Sequence, residues 1–180
     1  SLEFMDGFLP HTLSEAAKKK LKPPGLDGLF VYFDFRHMEV SVLQWLSRDE
    51  RLGELLKSSD VYAEIYGLVT GSEEKDRNSA KKMFLPVIYG QSAHALGHRL
   101  KIALPTAEKI VSRIKELFPA AVAYTQSHQE VARATKTGKD VFGKRRQFRE
   151  DYEALNFSVQ APASTICLEK LVTLHSALSG

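Results

Sequence analysis

Residues 77–90, RNSAKKMFLPVIYG, carry the most informative pattern of the chain. Residues four apart on a helix are neighbours on one face, so one stripe carries two cations, an aliphatic side chain and an aromatic ring: Arg77, Lys81, Leu85 and Tyr89. Two cations one turn apart suit a polyphosphate, and an aromatic ring beyond them suits a base or a sugar. The spacing therefore predicts a site for a nucleoside triphosphate. An amphipathic helix with solvated cations is the alternative interpretation.

The composition is typical of a folded chain that forms one domain or one subdomain. Of the 180 residues, 43% are hydrophobic and 26% are charged, which is ordinary for a globular protein. No apolar run approaches the roughly 20 residues that a membrane helix needs, so we expect no membrane partner. The single cysteine, Cys167, excludes an internal disulfide and fits a reducing compartment.

Positive charge is concentrated near residue 140. The net charge is only +3, but seven cations fall in a short segment with few acids among them: Arg133, Lys136, Lys139, Lys144, Arg145, Arg146 and Arg149. Glycines and two phenylalanines interrupt this segment, which indicates turns rather than a regular helix. Contact with the phosphates of a nucleic acid and a merely solvated surface are both compatible with the pattern.

One strand and a series of helices are predicted. Residues 1–28 read as a cloning remnant followed by an irregular leader, since prolines and glycines interrupt them. Residues 29–33, LFVYF, are aromatic and β-branched and predict a strand. Helical periodicity dominates from there to the C-terminal segment 152–178. We therefore expect a mostly α chain with a short β element, an α+β fold class.

Helix boundaries can be placed from capping residues. Gly71 is expected to end one helix, Ser72 to start the helix of residues 77–90, and Pro86 to kink it. Other helices are expected to begin at residues that favour a first turn: Ser47 or Asp49 for the helix through Leu56, and Asp60, Ser92, Pro105 and Pro119 for later ones.

Two further pairs of polar residues have a spacing that suits chemistry. Asp34 ends the predicted strand and Glu39 follows it; a carboxylate at a rigid strand end is well placed to bind Mg²⁺, although Asp34 could equally cap the next helix. Asn156 and Gln160 are four apart on a predicted helix, and their amides suit base edges in a minor groove. Ordinary polar helix surface is the alternative for that pair.

Taken in order, these pieces resemble the family A DNA polymerases, the DNA polymerase I type. The resemblance covers most of the chain and rests on seven segments: residues 33–39 (FDFRHME), 42–50 (VLQWLSRDE), 77–90, 92–96 (SAHAL), 118–119 (FP), 142–146 (FGKRR) and 156–160 (NFSVQ). It implies a palm segment at residues 29–59, a helical fingers subdomain at 60–150 and a helix that returns to the palm at 151–180.

The resemblance also implies which residues bind the metal ions and the triphosphate. Asp34, with the main-chain carbonyl of Phe35, would bind two catalytic Mg²⁺ ions, and Asp34 and Lys81 would be catalytic. Arg77 and Lys81 would hold the triphosphate of a dNTP, and the product would be a primer extended at its 3′-hydroxyl. The partners implied are primer–template DNA and a dNTP.

The remaining roles concern the base, the sugar and the duplex. Leu85 and Tyr89 would flank the incoming base and sugar, and Glu39 would pack against the sugar and hydrogen-bond Tyr89. Four residues would contact DNA, the first two on its backbone and the last two in the minor groove: Arg145, Arg146, Asn156 and Gln160.

The chain departs from the family pattern at several positions. Leu85 replaces an aromatic residue, Pro86 a glycine and Tyr62 a histidine, so we interpret the chain as a divergent member. We expect a cytoplasmic protein of a bacterium or phage, with an organelle as the alternative.

A second catalytic aspartate, expected in a His-Asp-Glu run, does not occur in the 180 residues. The hypothesis is a fragment that lacks the thumb and part of the palm of its parent polymerase and is inactive alone. A helical nucleic-acid-binding module that never catalyses is the alternative function.

Overall fold

The computed structural model describes residues 34–179, together with Ala16 and Lys20. The chain divides into two compact units, Ser1–Phe35 and Arg36–Gly180. In chain order the elements of the second unit are α1 (Met38–Ser47), α2 (Glu50–Leu55), α3 (Val61–Thr70), α4 (Arg77–Ile88), α5 (Ala93–Leu100), α6 (Leu104–Leu117), α7 (Pro119–Thr135), β1 (Thr137–Lys139), β2 (Arg145–Gln147) and α8 (Glu153–Ser179).

The fold class is mostly α with a short β element, as the sequence predicts. The β element that the structure describes is an antiparallel hairpin in which Thr137 pairs with Gln147 and Lys139 with Arg145. It lies where the sequence predicts turns, because the three-residue strands TGK and RRQ are too short and too polar to carry a strand signal. The predicted strand at residues 29–33 lies outside the described residues.

Most helix starts follow the predicted caps. The side chains of Asp49, Asp60 and Ser92 accept hydrogen bonds from the first-turn N–H groups of α2, α3 and α5. Gly71 ends α3 with φ of 71°, a left-handed conformation that glycine adopts without steric cost. Pro105 and Pro119 lie in the first turns of α6 and α7.

The predicted start of α4 at Ser72 is wrong. The N-cap is Asp76, whose carboxylate accepts from the N–H groups of Asn78 and Ser79. The Ser72 hydroxyl instead accepts from the N–H of Glu74, two residues on, a local bond that competes with helix formation. Pro86 lies two residues before α4 ends at Ile88, so the helix bond that it removes belongs to the last turn.

The main core forms around α4. Phe84 is fully buried and meets Phe118 edge to face, with ring centroids 5.0 Å apart. The buried hydroxyl of Thr125 on α7 donates to the carbonyl oxygen of Ile88 at 3.2 Å, which ties α7 to the end of α4. One face of α4 is thereby held in place while its N-terminal cations face outward.

A second, smaller core attaches the hairpin to α7 and α8. It consists of Ala132, Phe148, Ala154, Phe157 and Ala161. A Cβ on Gly138 would lie 2.6 Å from Cε2 of Phe148, so this position requires glycine for the hairpin to pack. The cations of β2 therefore lie on a strand whose position is fixed by packing.

Among the residues described, no helix combines the length and apolarity needed to cross a membrane.

A buried carboxylate joins two helix N-termini. Asp49 is 2% exposed; its Oδ1 accepts from the N–H of Leu52 in α2 at 3.0 Å, and its Oδ2 accepts from the N–H of Ala121 in α7 at 3.2 Å. Both N–H groups belong to first turns, which have no partner within their own helix. Asp49 therefore fixes where α7 begins relative to α2.

We expect Asp49→Ala to lower the free energy of unfolding by roughly 2–4 kcal/mol, because two buried N–H groups lose their acceptor. Urea denaturation followed by circular dichroism measures the change. Asp76→Ala, which removes the half-buried cap of α4, is the matched control and should cost less. A loss for Asp49→Ala no larger than that for Asp76→Ala would contradict the bridging role.

Candidate functional site

A cleft of about 620 Å³ opens between the end of α4, the hairpin and α8. Its lining brings together five of the residues that the sequence singled out: Tyr89, Arg145, Arg146, Asn156 and Gln160. Residues as far apart in the chain as Tyr89 and Gln160 meet here because α8 packs along α7 and α1. The cleft is open and is large enough for part of a nucleotide or a nucleic-acid strand.

One wall of the cleft carries three cations and one carboxylate. Lys144, Arg145 and Arg146 line it together with Glu153. Arg146 pairs with Glu153 at 3.1 Å and lies 5.7 Å from the centroid of the Phe148 ring. Within the described part of the chain, Lys144 and Arg145 pair with no carboxylate, so they are available to an anionic ligand.

Asp140 shapes the loop that carries these cations. It is buried, and its Oδ1 accepts from the N–H groups of Phe142 at 3.0 Å and Lys144 at 2.7 Å. Gly143 completes the turn with φ of 89°. The start of β2 is thus held by a side chain inside the turn, and the position of Arg145 depends on it.

Glu39 and Gln160 form a direct hydrogen bond across the site. The side-chain amide of Gln160 donates to Oε1 of Glu39 at 2.7 Å, joining α8 to the first turn of α1. The two residues are 121 positions apart, and the sequence connected them only through the roles that the resemblance implies. This hydrogen bond places Glu39 of α1 next to a residue that lines the cleft.

The hydrogen bond expected between Glu39 and Tyr89 is not present. The Tyr89 hydroxyl is buried and has no hydrogen-bond partner among the described residues. Burial raises the pKa of Tyr89 first, and the negative charge of Glu39 raises it further. Glu39 is therefore within electrostatic range of Tyr89, but the amide of Gln160 is the donor that reaches its carboxylate.

Arg77 and Lys81 lie over the ring of Tyr62. The distance from the ring centroid is 5.8 Å to Cζ of Arg77 and 5.5 Å to Nζ of Lys81, within the range of cation–π attraction. Burial raises the pKa of Tyr62 to about 12, with Glu39 as the next cause. Tyr62 thus interacts electrostatically with Glu39 and lies beneath two cations.

Asp60 holds the Arg77 guanidinium. Nε of Arg77 lies 3.0 Å from Oδ2 of Asp60, the residue that also caps α3. The sequence predicted only the cap, because a pairing between residues 17 positions apart depends on how α3 and α4 pack. Arg77 and Lys81 are both exposed.

The stripe predicted on α4 is not accessible along its whole length. Leu85 is 8% exposed and belongs to the main core, whereas Tyr89 is half-buried and lines the cleft. The cations at one end and the ring at the other are therefore the surfaces that a ligand can reach. The exposed Tyr152, which also lines the cleft, was missed because a lone aromatic residue at a helix start carries no pattern.

Asp34 and Phe35 end the first unit of the chain. Asp34 is exposed, and its carboxylate and the Phe35 carbonyl are oxygen donors of the kind that Mg²⁺ takes. Among the described residues, no three His, Cys, Asp or Glu side chains cluster closely enough to hold a metal ion. These two donors are thus compatible with Mg²⁺ as part of a larger ligand set.

The ionised form of Asp60 is stabilised by the fold. Burial raises its pKa, but the N–H groups of Ala63 and Tyr62 and the charge of Arg77 outweigh this and leave the pKa below its usual value. A carboxyl with a lowered folded-state pKa contributes stability above its unfolded pKa of about 3.9, and this contribution is lost as pH falls through the folded value.

We therefore expect Asp60→Asn to lower the free energy of unfolding at pH 7, with the difference from the wild-type chain shrinking as pH falls below about 4. Asparagine keeps a capping oxygen, so the variant removes the charge and retains the cap. Urea titrations at pH 7, 5 and 3 measure the effect. A difference that does not change with pH would show that the ion pair with Arg77 is not its source.

Comparison with known proteins identifies the family of the chain. The model of the family described as DNA polymerase family A matches residues 11–180. DNA polymerase I of Chloroflexus aurantiacus is 28% identical over 166 residues, which cover 83% of this chain and 18% of that protein. The thermostable DNA polymerase I of Thermus aquaticus is 32% identical over 141 residues, which cover 75% of this chain and 17% of that protein.

A solved structure has the same fold. It is the POL domain of Pol1 from M. smegmatis in complex with DNA primer–template and dNTP, with a TM-score of 0.63 and 23% identity over 71% of this chain and 26% of that one. The chain spans about a fifth of the length of the curated relatives it matches. The family match over nearly all of its residues shows that the chain belongs to DNA polymerase family A.

Proposed function

We propose that the chain is the fingers subdomain and part of the palm of a DNA-directed DNA polymerase, which adds dNTPs to a primer 3′-hydroxyl on a DNA template. In this proposal residues 29–59 are palm, 60–150 are fingers and 151–180 return to the palm. The observation that carries it is the cleft, in which Tyr89, two arginines of the hairpin and two amides of α8 converge. The M. smegmatis relative, whose complex holds DNA primer–template and dNTP, supports the choice of ligands.

The triphosphate would bind at the N-terminal half of α4. Arg77 and Lys81 project from one face of this helix over Tyr62, and charge-assisted hydrogen bonds from two cations suit a chain of phosphates. Lys81 would also stabilise charge that develops on the leaving pyrophosphate. Asp60 and Tyr62 would keep both cations near their bound positions before a nucleotide arrives.

The base and sugar would lie toward the cleft. Tyr89 would form the wall beside them, with Leu85 supporting that wall from the core. Glu39, now bonded to Gln160, would pack against the sugar and exclude a 2′-hydroxyl. The Tyr89 hydroxyl has no hydrogen-bond partner among the described residues, so in this proposal it is available to donate to Glu39 or to the bound sugar.

The primer–template duplex would bind along the hairpin and α8. Arg145 and Arg146 would contact the backbone phosphates, which supply most of the affinity for DNA. Asn156 and Gln160 are both exposed in the cleft, and their amides would hydrogen-bond base edges in the minor groove.

Asp34 and the Phe35 carbonyl would hold Mg²⁺. Two such ions, when bound in a complete site, activate the 3′-hydroxyl and stabilise the leaving phosphate oxygens. The chain offers an exposed carboxylate for this purpose, and a second aspartate from the parent protein would complete the site.

Replacing Lys81 by alanine tests the nucleotide site. We expect Lys81→Ala to weaken binding of dNTP with Mg²⁺ roughly tenfold or more, because a charged hydrogen bond is worth about 1.5–3 kcal/mol. Isothermal titration calorimetry measures the affinity. Lys82→Ala is the matched control, since Lys82 is equally exposed but lies about 100° around the helix. No loss for Lys81→Ala would favour the alternative, a nucleic-acid-binding module without a nucleotide site, and equal losses for both variants would show that Lys81 has no specific role.

The purified 180-residue chain is expected not to extend a primer, because only one of the two metal-binding aspartates is present. A gel assay with a labelled primer–template, dNTPs and Mg²⁺ tests this. Extension that Asp34→Ala abolishes would show that the chain supplies a complete active site.

A further inference from the structure

An exposed pair of aromatic rings lies outside the cleft. Trp45 on α1 and Phe142 in the hairpin turn have ring centroids 6.2 Å apart and planes inclined by 32°. Trp45 is 39% exposed and Phe142 is 45% exposed. We call these two rings the aromatic platform. None of the roles assigned to the cleft uses it.

The platform is held by the backbone on both sides. The N–H of Phe142 donates to the buried Asp140 carboxylate, and Gly143 turns the chain immediately after it. Trp45 lies in the last turn of α1, which ends at Arg48 in a left-handed conformation with φ of 57°. The two rings are therefore presented before any ligand binds, which reduces the entropy lost on binding.

Two lysines of the hairpin, Lys139 and Lys144, lie close to Phe142 along the chain. A Cβ placed on Gly143 would lie 3.5 Å from Cε of Lys139, so the Lys139 side chain crosses the turn beside Gly143, the residue after Phe142. Lys144 follows one residue after Gly143. The only acid of this turn, Asp140, is buried with its Oδ1 bonded to backbone N–H groups, so the exposed charge of the turn is positive.

We propose that the aromatic platform stacks an unpaired nucleobase of single-stranded DNA, with Lys139 and Lys144 contacting the flanking phosphates. Aromatic rings beside a basic groove are the usual means of holding a single strand without sequence preference. The cores of protein–protein interfaces are depleted in lysine, so the charges beside these rings favour nucleic acid over a protein partner.

The platform is close to the cleft along the chain. Phe142 and Arg145 are three residues apart, and three extended residues span at most about 10 Å, or about three nucleotides at 3.4 Å each. If the cleft binds a primer–template as proposed above, the platform holds the unpaired strand beside it. The stacking itself does not depend on that function.

Fluorescence of Trp45 reports directly on stacking, because it is the only tryptophan in the chain. A titration at 50 mM salt would compare a 12-nucleotide oligo(dT) with a blunt 12-base-pair duplex. We expect the single strand to quench the emission and the duplex to quench it much less, since its bases are already stacked and paired. Absence of quenching by the single strand, or equal quenching by both, would overturn the proposal.

Variants of Phe142 separate stacking from general apolar contact. Fluorescence polarisation of a labelled oligo(dT) would measure affinity, and we expect a loss of roughly fivefold or more for Phe142→Leu and little loss for Phe142→Tyr. Leu104→Ala is the matched control, because Leu104 on α6 is also 45% exposed. Equal affinities of the Phe142→Leu variant and the wild-type chain would overturn the proposal, as would self-association that Phe142→Leu abolishes.

The salt dependence of DNA binding distinguishes stacking on the platform from phosphate binding in the cleft. The ratio between the wild-type chain and the Phe142→Leu variant should be the same at 50 and 200 mM salt, because stacking releases no counterions. Replacement of Arg145 and Arg146 by glutamine should instead reduce the salt slope. If Phe142→Leu still weakens binding of the single strand but Lys81→Ala leaves nucleotide binding unchanged, only the polymerase proposal is contradicted.

Discussion

The buried carboxylate of Asp49 is the interaction on which the arrangement of the site depends. It lies just after α1 and accepts hydrogen bonds from the N-termini of α2 and α7. α7 leads directly into the hairpin and packs along α8. Glu39, the hairpin arginines and the α8 amides therefore take their relative positions from helices that meet at this one residue. Because its two hydrogen bonds satisfy buried N–H groups in a low-dielectric interior, neither is easily replaced by water.

The candidate site is a connected surface with the cations of α4 at one end and those of the hairpin at the other. Arg77 and Lys81 lie over Tyr62, Glu39 is within electrostatic range of both Tyr62 and Tyr89, and Gln160 bonds Glu39 from the floor of the cleft. A phosphate group at the first end and a base pair at the other would thus contact groups that already influence one another. The Glu39–Gln160 hydrogen bond joins α1 to α8 across this surface.

The sequence predicted the helices well because their boundaries are local. Asp49, Asp60, Ser92, Pro105 and Pro119 act within one turn of their own position, and the structure confirms each. The partners of site residues depend on packing between distant segments: Arg77 with Asp60, Gln160 with Glu39, and Trp45 with Phe142. No periodicity encodes these contacts. Ser72 was misplaced because a nearby aspartate is an equally good cap, and the hairpin was missed because its strands are short and polar.

The proposal that the cleft of α4, the hairpin and α8 binds a primer–template duplex is tested by nuclear magnetic resonance of the isotope-labelled chain as a primer–template is added. If the duplex binds there, the side-chain amide signals of Asn156 and Gln160 will shift together with the backbone amides of β2, and the signals of α6 will remain unchanged. Shifts concentrated on α6 while the Asn156 and Gln160 amides stay in place would contradict it.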